Sequence, residues 1–191
     1  MFTKNLTTQN NSYKWWIYSA IAVGLFASVA DMGSVIVALP TISDHFGTDL
    51  PTTQWVIIGY ALTISALLLP MGRLSDIVGR KQIYIVGFSI FVIGAILASV
   101  STNIVWLILT RILMGIGAAM TQGISMAILV SAFPSKERGK ALGLQLSAVG
   151  VGGVAGPIMG GFIIAALNWR GVFFTSAALG VLSIVAAQLF L

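Results

Sequence analysis

Hydrophobic positions in this chain come in long blocks rather than in alternating or heptad patterns, with short polar clusters between them. Six blocks read as membrane-crossing helices, over residues 17–39, 55–74, 83–100, 104–133, 141–167 and 171–191. A helix needs about 20 apolar residues, at ~1.5 Å of rise each, to cross the hydrocarbon core. The block 83–100 is short, while 104–133 and 141–167 exceed the minimum, which predicts tilt or extension past the headgroups. Trp15, Trp16, Trp55, Trp106 and Trp169 all lie within a few residues of a block's end, where amphipathic rings anchor at the interface. The first sixteen residues are polar and include Lys4 and Lys14. The apolar run after them is too long for a signal-peptide core and no small-residue cleavage site follows, so it is read as a retained first span. The expected architecture is an all-α membrane protein, with a cytoplasmic segment over 1–16 and one six-helix domain over 17–191.

Composition agrees with this pattern. Of the 191 residues, 58% are apolar and 8% are charged. A water-soluble domain of that size needs far more charge on its surface, so lipid must cover much of the exterior. The absence of cysteine excludes disulfides and thiolate metal sites, and the single histidine, His45, cannot build a metal cluster alone. No nucleophile–base pair or ligand cluster marks a catalytic centre, so neither an enzyme nor a cofactor is expected.

The net charge of +5 takes its meaning from where it falls. With the amino terminus inside, Lys4, Lys14, Arg73, Arg80, Lys81, Lys136, Arg138 and Lys140 share one side. Arg170 alone lies on the other, and Arg111 lies within a span. That asymmetry predicts a multi-pass protein of the cell membrane with a cytoplasmic amino terminus; the charge is a topological address, not a nucleic-acid patch. Asp44, His45 and Asp49 fall in the outer first loop and read as solvated. The chain stops at Leu191 inside an apolar stretch with no polar tail, which predicts that the full protein continues beyond it.

Between spans two and three the chain reads Gly72-Arg73-Leu74-Ser75-Asp76-Ile77-Val78-Gly79-Arg80-Lys81. The glycines permit a tight reversal. Asp76 is expected to accept hydrogen bonds from the amides that open span three, and Arg80 and Lys81 to meet inner headgroups. The ordered pattern resembles motif A of the major facilitator superfamily, with Ile77 where a basic residue is usual. The resemblance implies that Gly72, Asp76, Gly79, Arg80 and Lys81 form a conformational latch between two transporter halves.

In span five, Gly152, Gly156 and Gly160 recur every four residues, a groove for close helix approach. Pro157 removes the amide that would bond the Gly153 carbonyl, which predicts a kink. Together with Gly161, these residues resemble motif C, a signature associated with the antiporters of the superfamily.

Two charges lie inside spans. Asp31 is eight residues from Leu39 and Arg111 is seven from Ile104, so each lies roughly 10–12 Å below the outer boundary. Small or polar residues share their helical faces: Gly24, Ala27, Ser28, Ser34 and Ala38 with Asp31, and Gly115, Ala118, Gln122 and Ser125 with Arg111. Such stripes line a bundle interior or a watery cavity, which makes Ser34, Gln122 and Ser125 candidate cavity residues. A structural ion pair and a functional site are both compatible with this placement. Arg111-Ile112-Leu113-Met114-Gly115-Ile116-Gly117 resembles motif B, with Met114 where Gln is usual. Ala30-Asp31 followed by Val37-Ala38-Leu39-Pro40 resembles the first-span motif of the drug:proton antiporters.

The resemblance is closest to the amino-terminal half of the fourteen-span multidrug efflux type. It implies paired three-helix inverted repeats and a second, missing carboxy-terminal transporter half as a partner. It also implies an amphipathic or cationic small-molecule substrate exchanged for protons by alternating access, with Asp31 and Arg111 as the proton-coupling pair. Another carrier of the superfamily, a symporter or uniporter, and a non-transporting six-span accessory protein are the alternatives.

Overall fold

The structure, a computed structural model, describes residues 11–191. Six helices follow in order: α1 (Asn11–Phe46), α2 (Leu50–Val78), α3 (Arg80–Ser99), α4 (Ile104–Ala132), α5 (Arg138–Leu167) and α6 (Trp169–Phe190). A 3-10 turn over Ser135–Glu137 precedes α5. All six helices are long and apolar enough to cross a membrane. Of the expected segment 1–16, residues 1–10 lie outside the described residues, and 11–16 already belong to α1.

Each predicted block falls on one helix, but α1 continues through Pro40 to Phe46, so Asp44 and His45 lie on its last turn rather than in a loop. The proline removes only its own backbone bond, and the turn beyond is held by Ile42 in the core and Phe46 packed against it. The reversal between α2 and α3 is the single residue Gly79, at φ 113° and ψ 131°. An L side chain is strongly disfavoured in that conformation. The amides opening α4 and α6 are met by Asn103, whose side chain accepts from the Trp106 amide, and Asn168, whose side chain accepts from Arg170.

The packing has an internal symmetry. Helix α1 runs along α5 and α6, and α4 runs along α2 and α3. α3 lies on α6, and α1 meets α4 at the centre. Exchanging α1 with α4, α2 with α5 and α3 with α6 leaves these pairings unchanged. Successive spans alternate in direction, so the two three-helix units are inverted copies, an arrangement common in transporters.

Association in lipid rests on close packing at small residues. A Cβ placed on Gly117 of α4 would sit 2.7 Å from the Phe91 backbone nitrogen of α3. Tyr84, Phe88, Phe91, Leu107 and Phe173 fill the centre. Helices α2 and α5 leave long apolar faces uncovered, including Leu62, Leu69, Val154 and Phe162.

Candidate functional site

The centre of the bundle holds the two charges. The crossing of α1 and α4 brings Asp31 and Arg111 together, and both side chains are fully shielded from the exterior. Arg111 Nη1 donates to Asp31 Oδ2 at 2.6 Å. Its Nε donates to the Val56 carbonyl of α2 at 3.1 Å. The guanidinium stacks over the Tyr60 ring at 4.1 Å, with the Phe173 ring at 5.9 Å. A buried arginine needs such partners, because an isolated charge in low dielectric is very costly.

The carboxylate has a second partner. Ser176 Oγ of α6 donates to Asp31 Oδ1 at 2.7 Å. The same hydroxyl lies 3.0 Å from the Val172 carbonyl, and its one proton serves only one acceptor fully at a time. Helices α1, α2, α4 and α6 therefore converge on one ion pair. Among the described residues, two donors at this centre, Arg111 Nη2 and Tyr60 Oη, have no hydrogen-bond partner.

Ser176 is absent from the sequence candidates. A serine in an apolar span is ordinary, because its hydroxyl can satisfy itself on its own helix. Only the register of α6 against α1 reveals its second acceptor.

The other candidate cavity residues divide. Ser34 is buried with its hydroxyl on the Gly156 carbonyl at 2.8 Å, so it fastens α1 to α5 rather than facing a cavity. It reaches that carbonyl because Gly156 and Gly160 present no side chains. Ser125 is likewise inside the bundle, bonded to the Thr121 carbonyl of its own helix. Gln122 lines an open concavity between α2 and α4, with Leu69, Arg73, Asp76 and Met126 among its neighbours.

The motif A residues occupy the basic end of the bundle, with a correction to the expected contacts. Asp76 makes no cap to α3; it lies on the last turn of α2 and accepts from Arg80 Nη2 at 3.3 Å. The one-residue turn makes Asp76 and Arg80 an i, i+4 pair instead of a cap and its helix. Arg80 Nη1 donates to the Ala127 carbonyl of α4 at 2.9 Å, and Lys81 Nζ to the Gln188 carbonyl of α6 at 3.2 Å. Gln188 is in the last turn of α6, where carbonyls lack helical partners and a cation suits the dipole. Both basic residues thus reach backbone carbonyls of neighbouring helices while staying at least partly exposed, where contact with headgroups alone was expected. Gly72 faces the Gly123 carbonyl of α4.

In motif C, Gly152, Gly156 and Gly160 pack against Val29, Ala30 and Ser34 of α1, and Pro157 fits against Gly33. Gly161 faces open space and takes no part in that groove.

At the opposite end of the bundle, Arg170 Nη2 donates to the Ser101 carbonyl at 3.0 Å, and its guanidinium lies 4.4 Å from the Trp169 ring. Its Nη1 is 3.3 Å from His45 Nε2. Trp169 is buried against Phe46 and Phe173, so it is a packing residue of α1 and α6 rather than a lipid-facing anchor.

The family model of the Major Facilitator Superfamily matches residues 21–191. The chain belongs to this superfamily. It is 35% identical over 178 residues to the riboflavin transporter RibZ of Clostridioides difficile (strain 630), a match covering 93% of this chain and 39% of that protein. It is 32% identical over 164 residues to the multidrug resistance protein Stp of Mycobacterium tuberculosis (strain CDC 1551 / Oshkosh), covering 85% of this chain and 30% of that one. The chain thus spans well under half the length of these curated relatives. Its fold matches a crystal structure of a bacterial homologue of the human lysosomal transporter Spinster, in an inward-facing and unoccupied conformation. The TM-score is 0.84 at 21% identity, covering 95% of this chain and 44% of that one. The inverted three-helix units are accordingly one half of the major facilitator fold.

Proposed function

We propose that the chain is the amino-terminal six-helix domain of a proton-coupled small-molecule antiporter, exporting an amphipathic or cationic compound by alternating access. Its partner in this reading is a second six-helix domain. The basic end, with its Arg and Lys excess, is the cytoplasmic face of the cell membrane in this reading.

The observation that carries the proposal is the buried Asp31–Arg111 pair, held by four helices at once. A charge pair in a membrane interior is expensive to keep and is a functional hypothesis by default. Protonation of Asp31 removes the charge that Arg111 Nη1 binds. The Ser176 hydroxyl then has a ready alternative in the Val172 carbonyl, so its own donor is not stranded when α6 releases α1, while Arg111 keeps the Val56 carbonyl and the Tyr60 ring. Loss of those two bonds loosens α1 against α4 and α6, a change in this half that can bias its rocking against the second domain. The motif A contacts at the helix ends bias which side opens, and the glycine groove of α5 carries α1 as a packed unit.

The test uses the transporter with its second domain in inverted vesicles. Asp31→Asn is expected to abolish efflux driven by a pH gradient while leaving substrate binding measurable. Unchanged proton-driven efflux removes Asp31 from the coupling mechanism.

Similarity to a riboflavin transporter supports a second reading, a carrier of a neutral or anionic metabolite. Simultaneous measurement of proton flux and of riboflavin and cationic-dye transport separates the two. Co-directional proton and riboflavin movement favours the second.

A further inference from the structure

Helices α5 and α6 touch little along their length and leave a groove between them, floored by α1. It has a volume of about 480 Å³ and is lined by Tyr18, Val23 and Phe26 of α1, Ala148 and Val151 of α5, and Leu179 and Leu182 of α6. Val151 and Leu182 stand more than half exposed at its open side, so the groove faces the surroundings of the bundle and not its centre. At membrane depth that surrounding is hydrocarbon wherever the second domain does not cover it, and the lining, whose hydroxyls are those of Tyr18 and Ser147, offers water few partners.

The mouth of the groove at the basic end is chemically different. Lys140, Leu144, Ala148 and Val151 share one face of α5 by i+4, i+4 and i+3 steps. Trp15, Tyr18, Ala22 and Phe26 share one face of α1 in the same way. Tyr18 Oη donates to the Leu144 carbonyl at 3.3 Å and ties the two faces together below the groove. One turn further out, Lys140 Nζ lies 4.8 Å from the Trp15 ring centroid. Lys140 is exposed, and among the described residues it has no ion-pair partner, whereas the neighbouring Lys14 is paired with Glu137.

From this juxtaposition we infer that the α1–α5–α6 groove holds an acyl chain of an anionic phospholipid whose phosphate binds Lys140 beside Trp15. Lys140 is eight residues from Ala148, which places its Cα about 12 Å from the middle of the groove along α5, so a headgroup can meet the cation while an acyl chain lies in the groove. Charge complementarity selects the headgroup: an anionic lipid brings net negative charge to an unpaired cation, and a zwitterionic one brings an ammonium as well. Tyr18, with its ring in the groove and its hydroxyl toward the mouth, suits the boundary between tail and headgroup.

The test is native mass spectrometry of the full chain with phosphatidylglycerol or phosphatidylcholine added in detergent. Wild type is expected to retain one phosphatidylglycerol in preference to phosphatidylcholine. Lys140→Gln is expected to lower phosphatidylglycerol occupancy about five-fold and leave phosphatidylcholine unchanged, as one lost cation–headgroup contact predicts. Lys140→Arg should restore it, and Lys136→Gln should have no effect. Ala148→Trp, which fills the groove, should lower retention of both lipids; its helix content by circular dichroism verifies the fold. Equal retention of the two lipids by wild type overturns the inference. So does wild-type phosphatidylglycerol retention in Lys140→Gln, or unchanged retention in a folded Ala148→Trp.

Discussion

Ser176 and Asp31, on helices that are first and last in the chain, meet at 2.7 Å in the bundle centre, with the serine hydroxyl donating to the carboxylate oxygen Oδ1. The other carboxylate oxygen is bound by Arg111. The carboxylate is thereby held from two helices that do not share its own, and α6 becomes part of the charged site rather than an outer span.

Removing that hydroxyl should cost more than removing another buried serine of the same helix. A hydrogen bond to a charged group contributes about 1.5–3 kcal/mol, against about 1 kcal/mol for a neutral one. Ser183 is equally buried, but its hydroxyl bonds only the Leu179 carbonyl of its own helix. Ser176→Ala is therefore expected to lower stability in detergent by about 1.5–3 kcal/mol and Ser183→Ala by less than about 1 kcal/mol. Equal losses in thermal unfolding show that the Asp31 contact contributes nothing.

The ion pair itself predicts strong non-additivity. Arg111→Leu leaves Asp31 buried without its main partner, and Asp31→Leu does the same to Arg111. Each single change is expected to destabilise by about 3–5 kcal/mol, as breaking a buried pair does. The double variant should lose much less than the sum, since an apolar replacement of both charges strands neither. Additive losses in a denaturation cycle are the result that removes the pair from the stability argument.

The helices were legible because the apolar blocks and their flanking tryptophans follow from bilayer thickness alone. Asp31 and Arg111 stood out because a charge in such a block is rare, and their matched depth could be counted along each helix. Ser34 and Ser125 show the limit of counting: a polar stripe identifies an inward face, but whether that face meets a cavity or another helix depends on the neighbour's side chains. Ser34 meets the bare backbone at Gly156, a fact that belongs to α5. Asp76 was misplaced for a related reason. The turn after it is one residue long, and turn length depends on whether Gly79 takes a positive φ, which the residue type permits without requiring.

Gly79 therefore offers a test of backbone conformation separate from packing. Among the described residues nothing lies within 4 Å of a Cβ built there, so Gly79→Ala meets no clash with them. Its φ of 113° still makes the substitution strained, by about 1–3 kcal/mol. The expected result is a stability loss of that size with weaker anchoring of Arg80 on the α4 carbonyl, read by hydrogen exchange at the end of α4. An alanine variant as stable as wild type indicates that the α2–α3 turn adopts another conformation.

The glycines of α5 make a graded prediction, because the same chemical change meets a different obstacle at each. A Cβ on Gly156 would lie 2.7 Å from the Ala30 carbonyl oxygen, and one on Gly160 would lie 2.7 Å from Ser34 Cα. Both obstacles are backbone and cannot rotate away, so α1 and α5 must separate. At Gly152 the nearest atom is Val29 Cβ at 3.1 Å, which a small shift relieves. At Gly153 and Gly161 nothing among the described residues lies within 4 Å. Alanine at 156 or 160 is expected to cost about 1–3 kcal/mol through overpacking, and at 152 less. Alanine at 153 or 161 should be neutral or slightly stabilising, since it replaces the poorer helix former. A thermal-shift series that ranks 156 and 160 lowest, 152 next, and 153 and 161 at or above wild type fits a groove built for α1. Equal losses at all five positions instead point to glycines retained for flexibility of α5, and the close contact with α1 would then be incidental.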